Sequence, residues 1–333
     1  MMIPGDWLPY IFLFLMGLAV LVYAVLDGYD LGVGILLPLN NEAQRDGMIA
    51  SIGPFWDANE TWLVLAVGIL LIAFPEAHSL VLRELYLPAA ILMLGLILRG
   101  VSFDFRAKAV TGHRHFWDIA FKVGSIISAT TQGYMLGRYV LGFENSTVAH
   151  AFAGLSAVCV AAGYAYIGGA WLVMKTEGDL QARAARWSRR SGWLAALGLA
   201  AISILNPLVS PAVAERWFTL PAVILLVPIP LMCLVMIVVT DQYLRQVPTR
   251  GDVGCWLPFA ATAFLFVLSF FGLAYSFFPD VVPGRISAVE AASAEASLRF
   301  IGVGVAIVLP LILAYTIYAY RVFWGKSTEL RYH

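Results

Sequence analysis

Apolar runs long enough to cross a lipid bilayer follow one another from Leu8 to Phe323, and they constrain this chain more than any motif in it. A helical span needs about 20 mostly apolar residues. Nine such stretches can be marked, at roughly 8–37, 55–75, 82–105, 116–142, 149–174, 191–209, 217–240, 255–278 and 297–323. Of the 333 residues, 61% are hydrophobic and 13% are charged. An ordinary soluble domain is about 25% charged. Mean hydropathy is +0.82. Irregular backbone exposed to hydrocarbon leaves polar groups unpaired, so the spans read as helices. The expected fold is an all-α polytopic membrane protein with about nine transmembrane helices and short connections.

The formal net charge is zero, which suggests no nucleic-acid partner. The N-terminal stretch MMIPGDWLPY has an acidic residue and no basic one, so it lacks the basic region of a signal peptide and the first segment reads as a retained span. Cys159, Cys233 and Cys255 sit in or beside apolar segments at unrelated spacings, as small buried side chains do.

Orientation follows from the basic residues. The loops after the first, third, fifth and seventh spans, with the C-terminal tail, hold fourteen of them, from Arg45 to Arg331; the opposite loops hold Arg83, Arg216 and Arg285. The positive-inside rule then puts the N-terminus outside and the C-terminus in the cytoplasm, which requires an odd number of spans.

Acidic residues fall where the membrane discourages them. In VLDGYDLGVGILLPL, Asp27 lies about 28 Å into the first span at 1.5 Å per residue. Asp30 is three residues on, on the same helix face. Gly28, Gly32 and Gly34 around them allow a neighbouring helix or a ligand to come close. GPFWDANETWLV opens the second span, and its apolar run Thr61–Phe74 is too short to cross alone, so Trp56, Asp57, Asn59 and Glu60 enter the membrane region. The third span ends in ILRGVSFDFRAK, with Arg99 inside and Asp104 and Arg106 at its end. Asp27, Asp30, Asp57, Glu60, Arg99 and Asp104 therefore occupy the inner third of one bundle, Asp27 and Glu60 contributing least to this reading. A single charge there costs about 2.5–3.5 kcal/mol on an insertion scale, and grouping with Arg99 lowers that cost. Such a group also supplies the closely spaced exchangeable sites of a proton path. The plainer reading is a polar interfacial helix end with Arg99 as a structural partner.

DGYDLGVGILLP, GPFWDANETWL and RGVSFDFRAK, in this order, resemble subunit II of the cytochrome bd family of quinol oxidases, including its cyanide-insensitive members. The motifs lie in the first 110 residues; the rest matches in helix layout. The resemblance implies an accessory subunit of a bacterial inner-membrane quinol:dioxygen oxidoreductase. It implies an obligate heterodimer with a subunit I that carries two haems b and one haem d, and small single-helix subunits as further partners. By the same resemblance Asp57 and Asp104 serve proton delivery, and Asp30, Trp56, Asp57 and Arg99 line a site for a structural ubiquinone or menaquinone headgroup, or a lipid.

The histidines fit that division of labour. His78, His113, His115, His150 and His333 fall in loops, at span edges or in the tail, whereas haem iron wants an axial ligand inside a bundle. His113 and His115 read as a solvated loop, Met93 and Met135 as packing residues. No haem or metal ligand is expected in this chain. LDGYDLGVGIL in the first span echoes AGYAYIGGAWL in the fifth, with Ala165 in place of an acid. The expected organisation is a four-helix bundle over 1–145 with the charged cluster, a second over 146–280, and a peripheral ninth helix with its tail over 281–333. The basic run Ala182–Ser191 reads as a topology signal in contact with anionic lipid. The alternative function is a stand-alone proton-coupled transporter, which would more often place polar residues at the midplane of both halves.

Overall fold

The structure is a computed structural model that describes residues 5–108, 113–220, 222–250 and 252–327. The first four residues, Arg331 and His333 lie outside the described residues, as does the side chain of Arg250. The elements are α1 (Leu8–Leu36), α2 (Glu42–Ile52), α3 (Trp56–Ala73), α4 (Pro75–Lys108), α5 (Arg114–Val140), α6 (Thr147–Lys175), α7 (Gly178–Val209), α8 (Pro211–Phe218), α9 (Ala222–Leu226), α10 (Pro228–Arg250), α11 (Leu257–Phe277), β1 (Asp280–Val282), β2 (Ile286–Ser287), α12 (Ala288–Ala291) and α13 (Glu295–Val322).

Eight segments among the described residues are helical, long and apolar enough to cross a membrane. A further helix of 27 residues, α5, occupies the position of the expected fourth span. It is less apolar because it buries polar residues, among them Asp118, Ser125, Ser128, Thr131 and Arg138.

Prolines set several boundaries. The residue before proline avoids the helical region; Leu37, before Pro38, ends α1, and Phe74, before Pro75, ends α3. Pro75 then opens α4, where its missing amide costs nothing. Pro88 inside α4 is accompanied by a kink at Leu85, three residues upstream, as expected when a proline ring meets the preceding turn. The expected seventh span begins later than 217, because α8 intervenes and α9 and α10 are separated at Pro228, which has no amide to donate. The expected third and sixth spans prove longer. In particular α7 starts at Gly178, so the basic run that precedes the apolar stretch is helical.

The core centres on α1 and α6. Both are glycine-bearing where they meet. A Cβ on Gly168 would fall 2.5 Å from the carbonyl carbon of Gly32, and one on Gly32 would fall 1.8 Å from the carbonyl oxygen of Tyr164. Only glycine permits that approach. The largest buried cluster runs across this contact, from Tyr29, Val33 and Phe55 to Tyr166, Trp171 and Leu172. The side chains of Tyr29 and Trp171 stack at 4.1 Å between ring centres.

The two ends of the bundle differ. At the end holding the basic loops, α2 is capped by Asn41, whose side chain accepts from Gln44 N. The segment after α13 is tied down there too. Lys175 Nζ donates to Phe323 O and Gly325 O at 2.7 and 2.9 Å, and Ser327 N to Lys175 O at 2.8 Å. At the other end the β1–β2 hairpin and α12, with its Ser287–Glu290 capping box, connect α11 to α13.

Candidate functional site

The charged cluster, buried except at Glu60, is assembled from α1, α3 and α4. Asp27 and Asp30 on α1 are 0% exposed and Arg99 on α4 is 1% exposed. The apolar length of α1 carries the two carboxylates inside, and Gly124 on α5 lets Arg99 approach. A Cβ on Gly124 would come within 2.9 Å of the Arg99 backbone nitrogen. Arg99 Nη1 donates to Asp27 Oδ1 at 2.6 Å. Glu60 Oε1 on α3 lies 3.5 Å from the same nitrogen, and Asp30 Oδ2 lies 3.8 Å from Arg99 Nη2. One permanently charged guanidinium thus faces three carboxyl groups. Its charge offsets the desolvation that buried carboxylates would otherwise suffer.

Asp30 is held by a neutral partner as well. Asn59 Nδ2 donates to Asp30 Oδ2 at 2.8 Å and lies 2.9 Å from Tyr29 Oη. Tyr320 on α13 donates to Asn59 Oδ1 at 3.2 Å, and its hydroxyl is 2.6 Å from that of Tyr29. A closed ring of Asn59, Tyr29 and Tyr320 therefore connects the ninth long helix to the acid on α1. Toward the other end of the bundle a second polar chain begins. Gln132 on α5 donates from Nε2 to Tyr23 Oη at 2.8 Å and accepts from Tyr164 on α6 at 2.7 Å.

The residues named from sequence do not all converge. Asp27, Asp30, Glu60 and Arg99 meet. Asp57 is exposed and has an electrostatic interaction with Asp104, also exposed. Neither makes a direct bond to Arg99. Trp56 is half-buried with its ring 5.2 Å from that of Phe103 and its edge over Gly100. The carboxylates are graded by burial. Asp57 is at the surface of the chain, the Glu60 side chain one turn on is 32% exposed, and Asp27 and Asp30 are enclosed.

Arg106 engages elsewhere. Its Nε donates to Asp118 Oδ1 at 2.5 Å, and it also pairs with Asp46 on α2. Arg45 Nε meets Asp118 Oδ2 at 2.7 Å. This network fastens α2 to α4 and α5 beside the cluster. Lys122 Nζ donates to Ile35 O and Leu37 O, both at 2.8 Å, where a cation complements the C-terminal end of α1.

Asn59, Tyr29, Tyr320, Gln132 and Asp118 were not singled out as site residues from sequence. The available signal was the same for most of them: a polar side chain within an apolar span is a functional or structural partner by default.

Several buried polar atoms of the cluster have no hydrogen-bond partner: Asp27 Oδ2, Asp30 Oδ1 and Arg99 Nη2. Buried polar groups are ordinarily paired, so an unpaired donor beside unpaired acceptors fits a small polar group or water placed between them. The residues present therefore suit a headgroup with a carbonyl or hydroxyl to offer. Among the described residues no group of His, Cys, Asp and Glu is arranged to hold a metal ion.

The family model described as cytochrome bd terminal oxidase subunit II matches residues 8–323. A Bacillus subtilis protein described as cytochrome bd ubiquinol oxidase subunit 2 is 27% identical over 322 residues, 90% of each chain. An Escherichia coli K12 protein described as cytochrome bd-I ubiquinol oxidase subunit 2 is 27% identical over 380 residues, covering 98% of this chain and 97% of the relative. In three dimensions the chain is similar to one in the bd oxidase from Geobacillus thermodenitrificans, with a TM-score of 0.76 at 17% identity, over 96% of this chain and 99% of the other. At that identity the similarity is one of fold.

Proposed function

The chain belongs to the cytochrome bd terminal oxidase subunit II family, and from that premise we propose that it gives its oxidase a proton inlet together with a polar headgroup site. Membership makes it a multi-pass membrane subunit of a cytochrome bd-type quinol oxidase that works with a partner subunit I, and sets aside a free-standing transporter. The finer assignments are readings of this chain's own geometry. The observation that carries them is the gradation of carboxylates from the exposed Asp57 through partly exposed Glu60 to enclosed Asp27 and Asp30, the last three facing one guanidinium.

Asp57 and Glu60 share a face of α3. In this reading Asp57, with Asp104 beside it, takes a proton at the surface. Glu60 receives it one turn further in, and Asp27 or Asp30 holds it in the core. Arg99 does not carry the proton, because a guanidinium stays charged. It keeps the carboxylates close enough to exchange while preventing their mutual repulsion. Subunit I holds the two haems b and the haem d at which dioxygen is reduced, and the two chains form an obligate heterodimer. The basic end is cytoplasmic, so the N-terminus is outside.

Arg99 Nη2 is the free donor for a quinone carbonyl and Asp30 Oδ1 the free acceptor for a hydroxyl of the reduced headgroup, with the Trp56 ring bordering the approach over Gly100. A bound ubiquinone or menaquinone there would supply shape and a hydrogen-bonding carbonyl.

Asp57→Asn tests the inlet. Asparagine preserves shape and caps a helix about as well as aspartate, but it cannot exchange a proton. The expected result is an assembled complex with its full haem spectrum and a quinol oxidase turnover lowered at least several-fold. Wild-type turnover in an assembled Asp57→Asn complex would reject the inlet.

A further inference from the structure

The basic run that opens α7 plays no part in the cluster above, and its arginines fall into two groups. Arg189 Nε donates to Asp241 Oδ1 on α10 at 2.8 Å, and the other oxygen of Asp241 accepts from Arg245 Nε at 2.8 Å. Arg183 donates to Gln44 and lies over the Trp187 ring. These side chains are committed within the protein. Arg186 and Arg190, four residues apart and so on one helix face, have no bond or ion pair among the described residues. With Arg189 and Trp193 they line an open cavity of about 210 Å3. Asp241 is shared by Arg189 and Arg245, so the two unpaired guanidinium groups of Arg186 and Arg190 leave this corner with an excess of positive charge.

From this arrangement we infer that the cavity is a binding site for the headgroup of an anionic glycerophospholipid. Guanidinium groups present paired donors that match phosphate oxygens. Trp193, 42% exposed, stands just beyond the arginines, where an indole marks the level between headgroups and chains. The face continues through exposed Leu197, Ile204 and Leu208 along the rest of α7, an apolar track for an acyl chain. The volume is below the roughly 300–1,000 Å3 of sites that enclose a whole small molecule. It accommodates a phosphodiester whose chains remain outside. That track favours a lipid over free phosphate. Arg189, pinned by Asp241, forms the rigid wall of the site, and Arg186 and Arg190 close on the ligand. The inference needs neither the proton inlet nor the quinone.

The test is native mass spectrometry of the purified oxidase complex, exchanged into detergent with phosphatidylglycerol or phosphatidylcholine. Wild type is expected to retain at least one more phosphatidylglycerol than the Arg186→Gln/Arg190→Gln complex, with no difference for phosphatidylcholine and no displacement by excess inorganic phosphate. Equal retention by the two complexes overturns the site, and displacement by inorganic phosphate overturns its assignment to a lipid. A second measurement does not depend on the double variant assembling. Phosphatidylglycerol brominated on its chains should quench the fluorescence of wild type more than that of Trp193→Phe, by more than brominated phosphatidylcholine does. Equal quenching by the two lipids refutes the site.

Discussion

Arg99 on α4 and Asp27 on α1 meet at 2.6 Å with both side chains buried. The contact joins two helices that are far apart in sequence and determines how a group of carboxylates can exist inside an apolar bundle. Removing the cation alone leaves acids that must either stay charged without a partner or take up protons. Breaking a buried pair in this way costs about 3–5 kcal/mol. Arg99→Met is therefore expected to lower the thermal midpoint of the assembled complex clearly. Arg99→Met combined with Asp27→Leu should cost less than the two single changes summed. A midpoint unchanged in Arg99→Met would show that the guanidinium contributes only its volume.

The crossing of α1 and α6 offers a matched pair of substitutions on one helix. Gly168→Ala places a methyl group 2.5–2.7 Å from the backbone of Gly32 and Val33, which cannot retreat as a flexible side chain would. Overpacking of this kind costs about 1–3 kcal/mol. Gly154→Ala, also on α6, meets nothing within 4 Å and gains helix propensity of up to about 1 kcal/mol. Thermal melts of the two variants should move in opposite directions, or the second should not move at all. Equal destabilisation would mean that the crossing is more pliable than its geometry states.

Within the polar ring, the members should not be equivalent. Tyr320→Phe removes a hydroxyl that bridges Tyr29 and Asn59, a loss of about 0.5–1.5 kcal/mol. Asn59→Leu strips donors from Asp30, Tyr29 and Leu26 O together and leaves Asp30 further exposed to the apolar core. The expected order in denaturation of the complex is Asn59→Leu well below Tyr320→Phe, which is slightly below wild type. Reversal of that order would separate the ring from the stability of the cluster.

The segment after α13 carries a pH-dependent tie outside the spans. Asp252 accepts from Lys326 Nζ at 2.6 Å and from Gln181 Nε2 at 2.9 Å, and these hydrogen bonds hold its carboxyl below the usual carboxylate range. A depressed acid contributes its stabilisation in full above the unfolded value, about 3.9, and loses it as pH falls through the folded one. Protection of the Ser327 amide, which bonds to Lys175 O, should hold constant from neutral pH to about 5 and drop only below about 4. In Asp252→Asn it should be reduced throughout. Loss of protection between pH 7 and 5 would contradict this tie.

Much of the bundle was legible locally. Runs of apolar residues mark helices because a backbone in hydrocarbon has no other way to pair its amides; the break at Pro228, which lies inside the expected span 217–240, came out only in the structure, where the missing amide separates α9 from α10. The α7 extension and the separate α2 and α8 were harder to read. Short or charged helices draw their stability from packing against neighbours, as when Arg45 and Arg106 close on Asp118.

The sequence by itself determined that the chain crosses a membrane many times and that acids and Arg99 lie at one level of its first helices, because hydropathy and rise per residue act along the chain. It also placed Asp57 at a helix start. Only the tertiary structure decided that Arg99 grips Asp27 and approaches Glu60, that Asp57 stays outside with Asp104, and that Tyr320 on the last long helix completes the ring around Asn59. A helix apolar on every side has little amphipathic signal with which to set its rotation. Which face of α1 turns toward α4 is settled by close approaches such as Gly32 on Gly168 and Gly124 on Arg99, which depend on neighbours distant in the chain.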